Sequence, residues 1–204
     1  MLFDDTYKTI VSPSEGVFRD RGSKFLGYAY PVVSENEAKD LIGLLRSEHA
    51  KARHFCWALR LTPDRSVFRL NDDGEPSGTA GRPILNCLLS ADITNVVVVV
   101  VRYFGGTLLG VPGLINAYKT AALESIKAAN IIEKTVNDIY RIKFGYLQMN
   151  EVMKVIKDYD LQIGNQNFDN DCSVEITVRK SQLNQVLHKL DNVDKLAYEY
   201  LGSH

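Results

Sequence analysis

Six consecutive valines, Val96 to Val101, limit what this chain can fold into more than any other feature. β-branched side chains without alternation disfavour a helix and do not fit a strand with one wet face. The run is far too short to span a bilayer. What remains is a strand covered on both faces, and such a strand needs apolar layers above and below it. The chain offers them. Ser34 followed by Glu37 reads as a capping box, after which Ala38, Leu41, Ile42 and Leu45 recur at helical spacing towards His49. A second helix is expected from Gly81 or Arg82 to Leu89. A third runs from Pro112 to about Ala129, with Leu114, Tyr118, Ala121, Ala122 and Ile126 as its inward stripe.

Strands are expected at Tyr7 to Val11, Gly16 to Arg19 and Lys24 to Val33. Arg53 to Leu61 puts Phe55, Trp57, Leu59 and Leu61 on one face and pairs with Ser66 to Leu70 across Thr62-Pro63-Asp64. From Asp138 the pattern changes. Strand (Asp138 to Gly145), helix (Gln148 to Tyr159), strand (Leu161 to Asn167), strand (Ser173 to Val178), helix (Ser181 to Leu190) and strand (Lys195 to Leu201) make βαββαβ, the ferredoxin-like order. The expected fold is α+β with two domains, 1–135 and 136–204, and a short linker at Ile131 to Val136.

The formal charge is -1, so no bulk field draws the protein to nucleic acid or an anionic membrane, and such contacts need a local patch. Cys56, Cys87 and Cys172 are odd in number and far apart, with no disulfide framework and no Cys-x-x-Cys zinc pattern. Free thiols fit a reducing compartment. Met1 to Val11, with Asp4 and Asp5, lacks the basic-then-apolar order of a signal peptide. The reading is a cytoplasmic protein with no membrane partner; the sequence sets no oligomeric state.

Two loops concentrate the backbone specialists. The first, Asn71 to Pro83, holds Asp72, Asp73 and Glu75 with three Gly and two Pro, and has a prescribed path. Its acids can hold a hard cation, although their spacing is not that of an EF-hand. Alternatively Ser77, Thr79 and the amides around Gly78 and Gly81 can bind an anion where the helix begins, or the loop is a recognition surface. Arg82 or Arg102 can offset its negative charge. The second loop, Arg102 to Leu114, joins the valine strand to the long helix. Gly105 and Gly110 have P-loop spacing, but Val111 and Pro112 stand where Lys and Ser or Thr are required, so a Walker-type ATPase is excluded. Gly105 and Gly106 either cradle a ligand or permit close packing. Arg102, Tyr103 and Phe104 suit stacking on bases or a charged partner, while any one aromatic also fits a core. A basic stretch follows from Arg46 to Arg69, with Arg53, Arg60 and Arg69 as candidate contacts to a nucleic-acid backbone and a solvated sheet face as the plainer reading. His54 and Cys56 share a strand face but form no evident catalytic pair. No His is assigned a catalytic role and no cofactor or metal is expected.

These blocks closely resemble the YigZ/IMPACT family: Asp72-Asp73-Gly74-Glu75-Pro76-Ser77-Gly78-Thr79-Ala80-Gly81, Pro83-Ile84-Leu85, Arg102-Tyr103-Phe104-Gly105-Gly106, Leu109-Gly110, Gly113-Leu114 and Ala117-Tyr118, with Ser23-Lys24-Phe25 and His54 in support. Val111-Pro112 departs slightly from the family's spacing. The resemblance implies an N-terminal domain of the ribosomal-protein-S5-domain-2-like type and a small C-terminal domain, a pair similar to the last two domains of elongation factor G. It also implies a link to translation, because eukaryotic relatives regulate translation in amino-acid starvation. The expectation is a non-enzymatic protein that contacts the ribosome, RNA or a translation factor. Its binding residues are Asp72, Asp73, Glu75, Ser77, Thr79, Arg82, Arg102, Tyr103, Phe104, Gly105, Gly106 and His54. The alternative is a metal-assisted hydrolase with its site between the Asp72–Gly81 and Arg102–Gly113 loops. A third reading makes both loops architectural.

Overall fold

A computed structural model describes residues 5–169 and 172–203. Met1 to Asp4, part of the segment read for a signal peptide, and His204 lie outside the described residues. No helix among those described is long and apolar enough to cross a membrane. The fold is α+β, and its contacts separate into two units: Tyr7–Lys134, and Asp5 and Thr6 together with the chain from Thr135.

The larger unit is built on strands β1 (Thr6–Ile10), β2 (Ser14–Asp20) and β3 (Ser23–Pro31), helix α1 (Glu35–Glu48), strands β4 (His54–Leu61) and β5 (Val67–Asn71), helix α2 (Gly81–Ala91), strand β6 (Val96–Tyr103), helix α3 (Gly110–Lys127) and strand β7 (Ile131–Thr135). Five strands form one antiparallel sheet in the order β2-β3-β6-β4-β5. The valine strand is its centre. Val96, Val98 and Val100 pack with Ile84, Leu88, Tyr118 and Ala121 of α2 and α3. Val97, Val99 and Val101 pack with Ala38, Ile42 and Leu45 of α1. All six valines are fully buried, so the run is the doubly covered strand its composition demands. Ser34 caps α1 by accepting from the Glu37 amide at 3.2 Å. Gly27 lets α3 lie directly on β3: a Cβ there would stand 2.3 Å from the Ala121 carbonyl oxygen.

One expectation is corrected here. Ile131 to Val136 is not a plain linker, because Ile131–Thr135 is a strand that joins β1 in a separate two-stranded sheet. Its five residues are mostly exposed, and so short a segment carries no periodic signal.

The smaller unit runs β8 (Asn137–Phe144), α4 (Met149–Asp158), β9 (Gln162–Phe168), β10 (Cys172–Arg179), α5 (Leu183–Asp191) and β11 (Ala197–Ser203). Its antiparallel sheet has the order β11-β8-β10-β9, which is the ferredoxin-like arrangement. Val152, Val155 and Ile156 of α4 and Val186 and Leu190 of α5 cover one face over Ile142, Val174 and Ile176. At its margin Arg179 donates to both carboxylate oxygens of Asp5, at 2.6 and 3.0 Å. These bonds are the main cause that holds the Asp5 carboxyl down at about 2.

Candidate functional site

The acids of the first loop go to three different places. Asp72 stands nine residues before Gly81, the first residue of α2, and closes back on the helix start. Its carboxylate accepts from the amides of Gly78 (2.9 Å), Ala80 (3.0 Å) and Gly81 (2.8 Å). The residue in the usual capping place, Ala80, has no side chain able to do this. The anion slot expected at this helix start is therefore filled by the chain's own carboxylate. Burial pushes the Asp72 carboxyl up, but the three amide donors outweigh it and hold it below its ordinary value.

The consequence is measurable. Asp72→Ala is expected to cost about 1–2 kcal/mol at pH 7 in urea unfolding, the range for a lost cap. The native pKa lies below the unfolded one, so this contribution is complete above the unfolded value and disappears as the pH falls through the native one. Wild type and variant should converge in strong acid. A gap that persists there would rule out capping by the ionised form.

Asp73, at φ 42°, turns the other way. It accepts from Arg46 Nη2 at 2.6 Å and from the Phe55 amide at 2.6 Å, which ties the loop to α1 and β4. Its carbonyl lies 2.8 Å from His54 Nδ1. A carbonyl only accepts, so that nitrogen carries the proton, and in the neutral ring Nε2 is left as an acceptor. Glu75 is buried. Its Oε1 accepts from Arg102 Nη1 at 2.5 Å and from the Tyr118 hydroxyl at 2.7 Å. Burial is the first cause that pushes the Tyr118 hydroxyl and the Cys56 thiol far up, and the nearby Glu75 charge adds to both. Cys56 donates to the Asp72 carbonyl at 3.0 Å and is no nucleophile in this setting. Thr79, also buried, donates to the Pro76 carbonyl at 2.7 Å. Ser77 is exposed on the outer turn. Among the described residues no group of His, Cys, Asp and Glu is arranged to hold a metal ion.

The second loop meets the first through Arg102. Arg102 is 5% exposed, and its guanidinium lies over the rings of Phe25 and Phe104, at 5.4 and 5.5 Å from their centroids. An Arg102 that reaches outward to phosphate is therefore not what the fold produces: β6 places it in the sheet, opposite His54 and Phe25, where among the described residues Glu75 is the carboxylate that compensates it. Tyr103 is half-buried, and its phenol is tied into the fold. Its hydroxyl lies 2.9 Å from His49 Nδ1, and the other ring nitrogen of His49 is 2.9 Å from the Tyr28 hydroxyl. Gly105 forms no cradle, whereas Gly106 is exposed with open space where a Cβ would stand. A Cβ at Gly105 would stand 1.9 Å from the Gly22 carbonyl carbon, and its amide donates to Ser23 Oγ at 3.1 Å, so this glycine is a packing contact with the β2–β3 turn.

What the loops do form is a cleft of about 390 Å³. Arg53, His54, Glu75 and Pro76 line it together with Phe104, Leu108 and Val111. These last three are 50%, 81% and 51% exposed, a concentration of apolar surface where the second loop runs into α3. Leu108 is the residue that sequence reasoning passed over. Its only signal was the pair Leu108-Leu109 in a glycine-rich turn, of which Leu109 is the buried member.

The basic stretch does not survive as a continuous patch. Arg60 is buried and donates to Asp92 at 3.1 Å, which removes it as a phosphate contact. Arg46 pairs with Asp73, Arg65 with Asp92, and Arg69 with Glu35 at 3.2 Å. Arg53 and Arg82 are exposed and make no ion pair among the described residues.

Comparison with known proteins agrees with this architecture. Residues 21–126 match the Impact N-terminal domain. A Haemophilus influenzae protein named IMPACT family member is 32% identical over 163 residues, 78% of this chain and 79% of its own. A crystal structure titled only as a hypothetical protein superposes with a TM-score of 0.72 at 27% identity, over 97% of this chain and 98% of that one. The two-domain translational regulator Yih1 is 30% identical over 63% of this chain and 49% of its own, with a TM-score of 0.36. The matched domain spans both loops and the valine strand between them, and on that ground the chain belongs to the IMPACT family.

Proposed function

We propose that this protein is a translation-linked docking protein that binds a protein partner, a translation factor or a ribosomal protein, through the cleft between its two loops. One observation carries the reading. Phe104, Leu108 and Val111 stand exposed around a cleft whose buried ions, Glu75 and Arg102, already neutralise each other. Such a site has an apolar anchor and a rigid floor. The family link supports the translation setting, since its relative Yih1 is a translational regulator. A protein partner is favoured over RNA because Arg46, Arg60, Arg65 and Arg69 are taken by the chain's own carboxylates. RNA binding needs such cations free to replace counterions.

The test is co-sedimentation of the full chain with ribosomes, and pull-down with purified translation factors, at two salt concentrations. Leu108→Asp is expected to weaken binding at least tenfold while leaving the circular dichroism spectrum and melting temperature intact, because the side chain is 81% exposed. Binding that falls steeply with salt and ignores Leu108→Asp would assign RNA instead and overturn the reading.

A further inference from the structure

A second groove lies between the outer faces of α2 and α3, with a volume of about 420 Å³. Its floor is apolar: Pro83 and Cys87 are buried there, and Ile115 is 39% exposed. Arg82 stands on one wall and Lys119 on the other. The charge pattern is one-sided. α2 contains no Asp or Glu in its 11 residues, and α3 contains none from Gly110 to Leu123. The acids that bound these helices are each engaged elsewhere. Asp72 caps α2, Asp92 binds Arg60 and Arg65, and Glu124 pairs with Lys127 at 2.8 Å. Arg82 and Lys119 themselves make no ion pair among the described residues.

We propose that this groove is a docking site for an acidic amphipathic helix of a protein partner, with two of its carboxylates reaching Arg82 and Lys119 and its apolar side chains seated over Cys87 and Ile115. The helical form follows from the walls. Backbone groups of α2 and α3 are already bonded within their own helices, so an extended segment would find no strand edge here and leave its amides unpaired. A helix satisfies its own backbone and presents apolar residues at i, i+3 and i+4. Acidic flanks answer the two free cations, and neither α2 nor α3 as far as Leu123 carries a carboxylate of its own to repel them. Nucleic acid fits less well. Two cations make no track for a phosphate chain, and the groove offers no aromatic ring for a base. The site is separate from the cleft at Phe104 and does not depend on what that cleft binds.

The experiment pans a display library of 15-residue peptides, randomised among Ala, Leu, Ser, Glu and Lys, against the full chain and against the double variant Arg82→Glu/Lys119→Glu. Both side chains are exposed, so the variant should keep the wild-type melting temperature; a parallel charge-neutral variant, Arg82→Gln/Lys119→Gln, guards against failure to fold. Peptides selected on the wild type should be enriched in Glu flanking a Leu stripe at helical spacing. They should bind the neutral variant at least tenfold more weakly, and selection on the reversed variant should turn to Lys. Enrichment without excess Glu, the same peptides on wild type and variants, or no enrichment at all overturns the proposal. So does preferential capture of oligouridylate RNA that depends on the same two side chains.

Discussion

Glu75→Gln should destabilise the protein by about 3–5 kcal/mol, the cost of leaving a buried charge without its partner. The side chains of Arg102 and Glu75 are 6% and 4% exposed, and Glu75 is the one carboxylate that meets this guanidinium among the described residues. Arg102 Nε is buried with no acceptor, so nothing else takes over the compensation. Glutamine keeps the shape and can still accept from Tyr118, which isolates the charge as the cause. The control is the double variant Glu75→Gln/Arg102→Met. With both ions gone the desolvation penalty goes too, and most of the lost stability should return. Urea unfolding of the single and double variants decides this. A loss below about 1 kcal/mol for Glu75→Gln, or a double variant worse than the single, would mean that water reaches the pair and that the floor of the cleft is not dry. The pair also bears on binding. Arg102 stacks on Phe104, so losing the ion pair should loosen the apolar edge of the cleft as well as the sheet.

The second large effect is expected at Gly27. Alanine there would place its Cβ 2.3 Å from the Ala121 carbonyl oxygen and 2.9 Å from its carbon, both of them backbone atoms of α3. No side-chain rotation relieves that clash, so α3 must move off β3 or β3 must bend. Forced overpacking of this kind costs about 1–3 kcal/mol, and a clash with rigid helix backbone puts Gly27→Ala at the top of that range. The effect should grow again for Gly27→Val although valine is the better strand former. Thermal unfolding with hydrogen exchange on α3 checks it. If Gly27→Val proved as stable as Gly27→Ala, strand propensity rather than helix–sheet distance would govern the position.

Several elements were legible in the sequence for physical reasons that act over a few residues. The valines of β6 announce double burial because their chemistry fits no other setting. The α1 cap is local, from Ser34 to Glu37, and the βαββαβ order of the smaller unit follows from successive changes of period. The path of the Asn71–Gly81 loop was marked by its turn residues. The roles of the individual residues in these loops were not legible. Asp72, Asp73 and Glu75 look alike as neighbours in a turn, and only their partners, Gly81, Arg46 and Arg102, distinguish a cap, a tether and a buried ion pair. Likewise Arg60 and Arg69 read as members of one basic stretch until Asp92 and Glu35 are found beside them.

The chain's own order therefore determined where strands, helices and loops lie, because hydrophobic period, capping and turn chemistry are short-range properties of neighbouring residues. Which charges remain free, and which apolar side chains are left in water, was decided by the closed sheet. Arg102 meets Glu75 across 27 residues, and Arg60 meets Asp92 across 32, only after β4, β5 and β6 pair. Leu108 and Leu109 are identical side chains one residue apart, yet one is 81% exposed and the other 8%, because only the tertiary packing against α3 provides a place for the second.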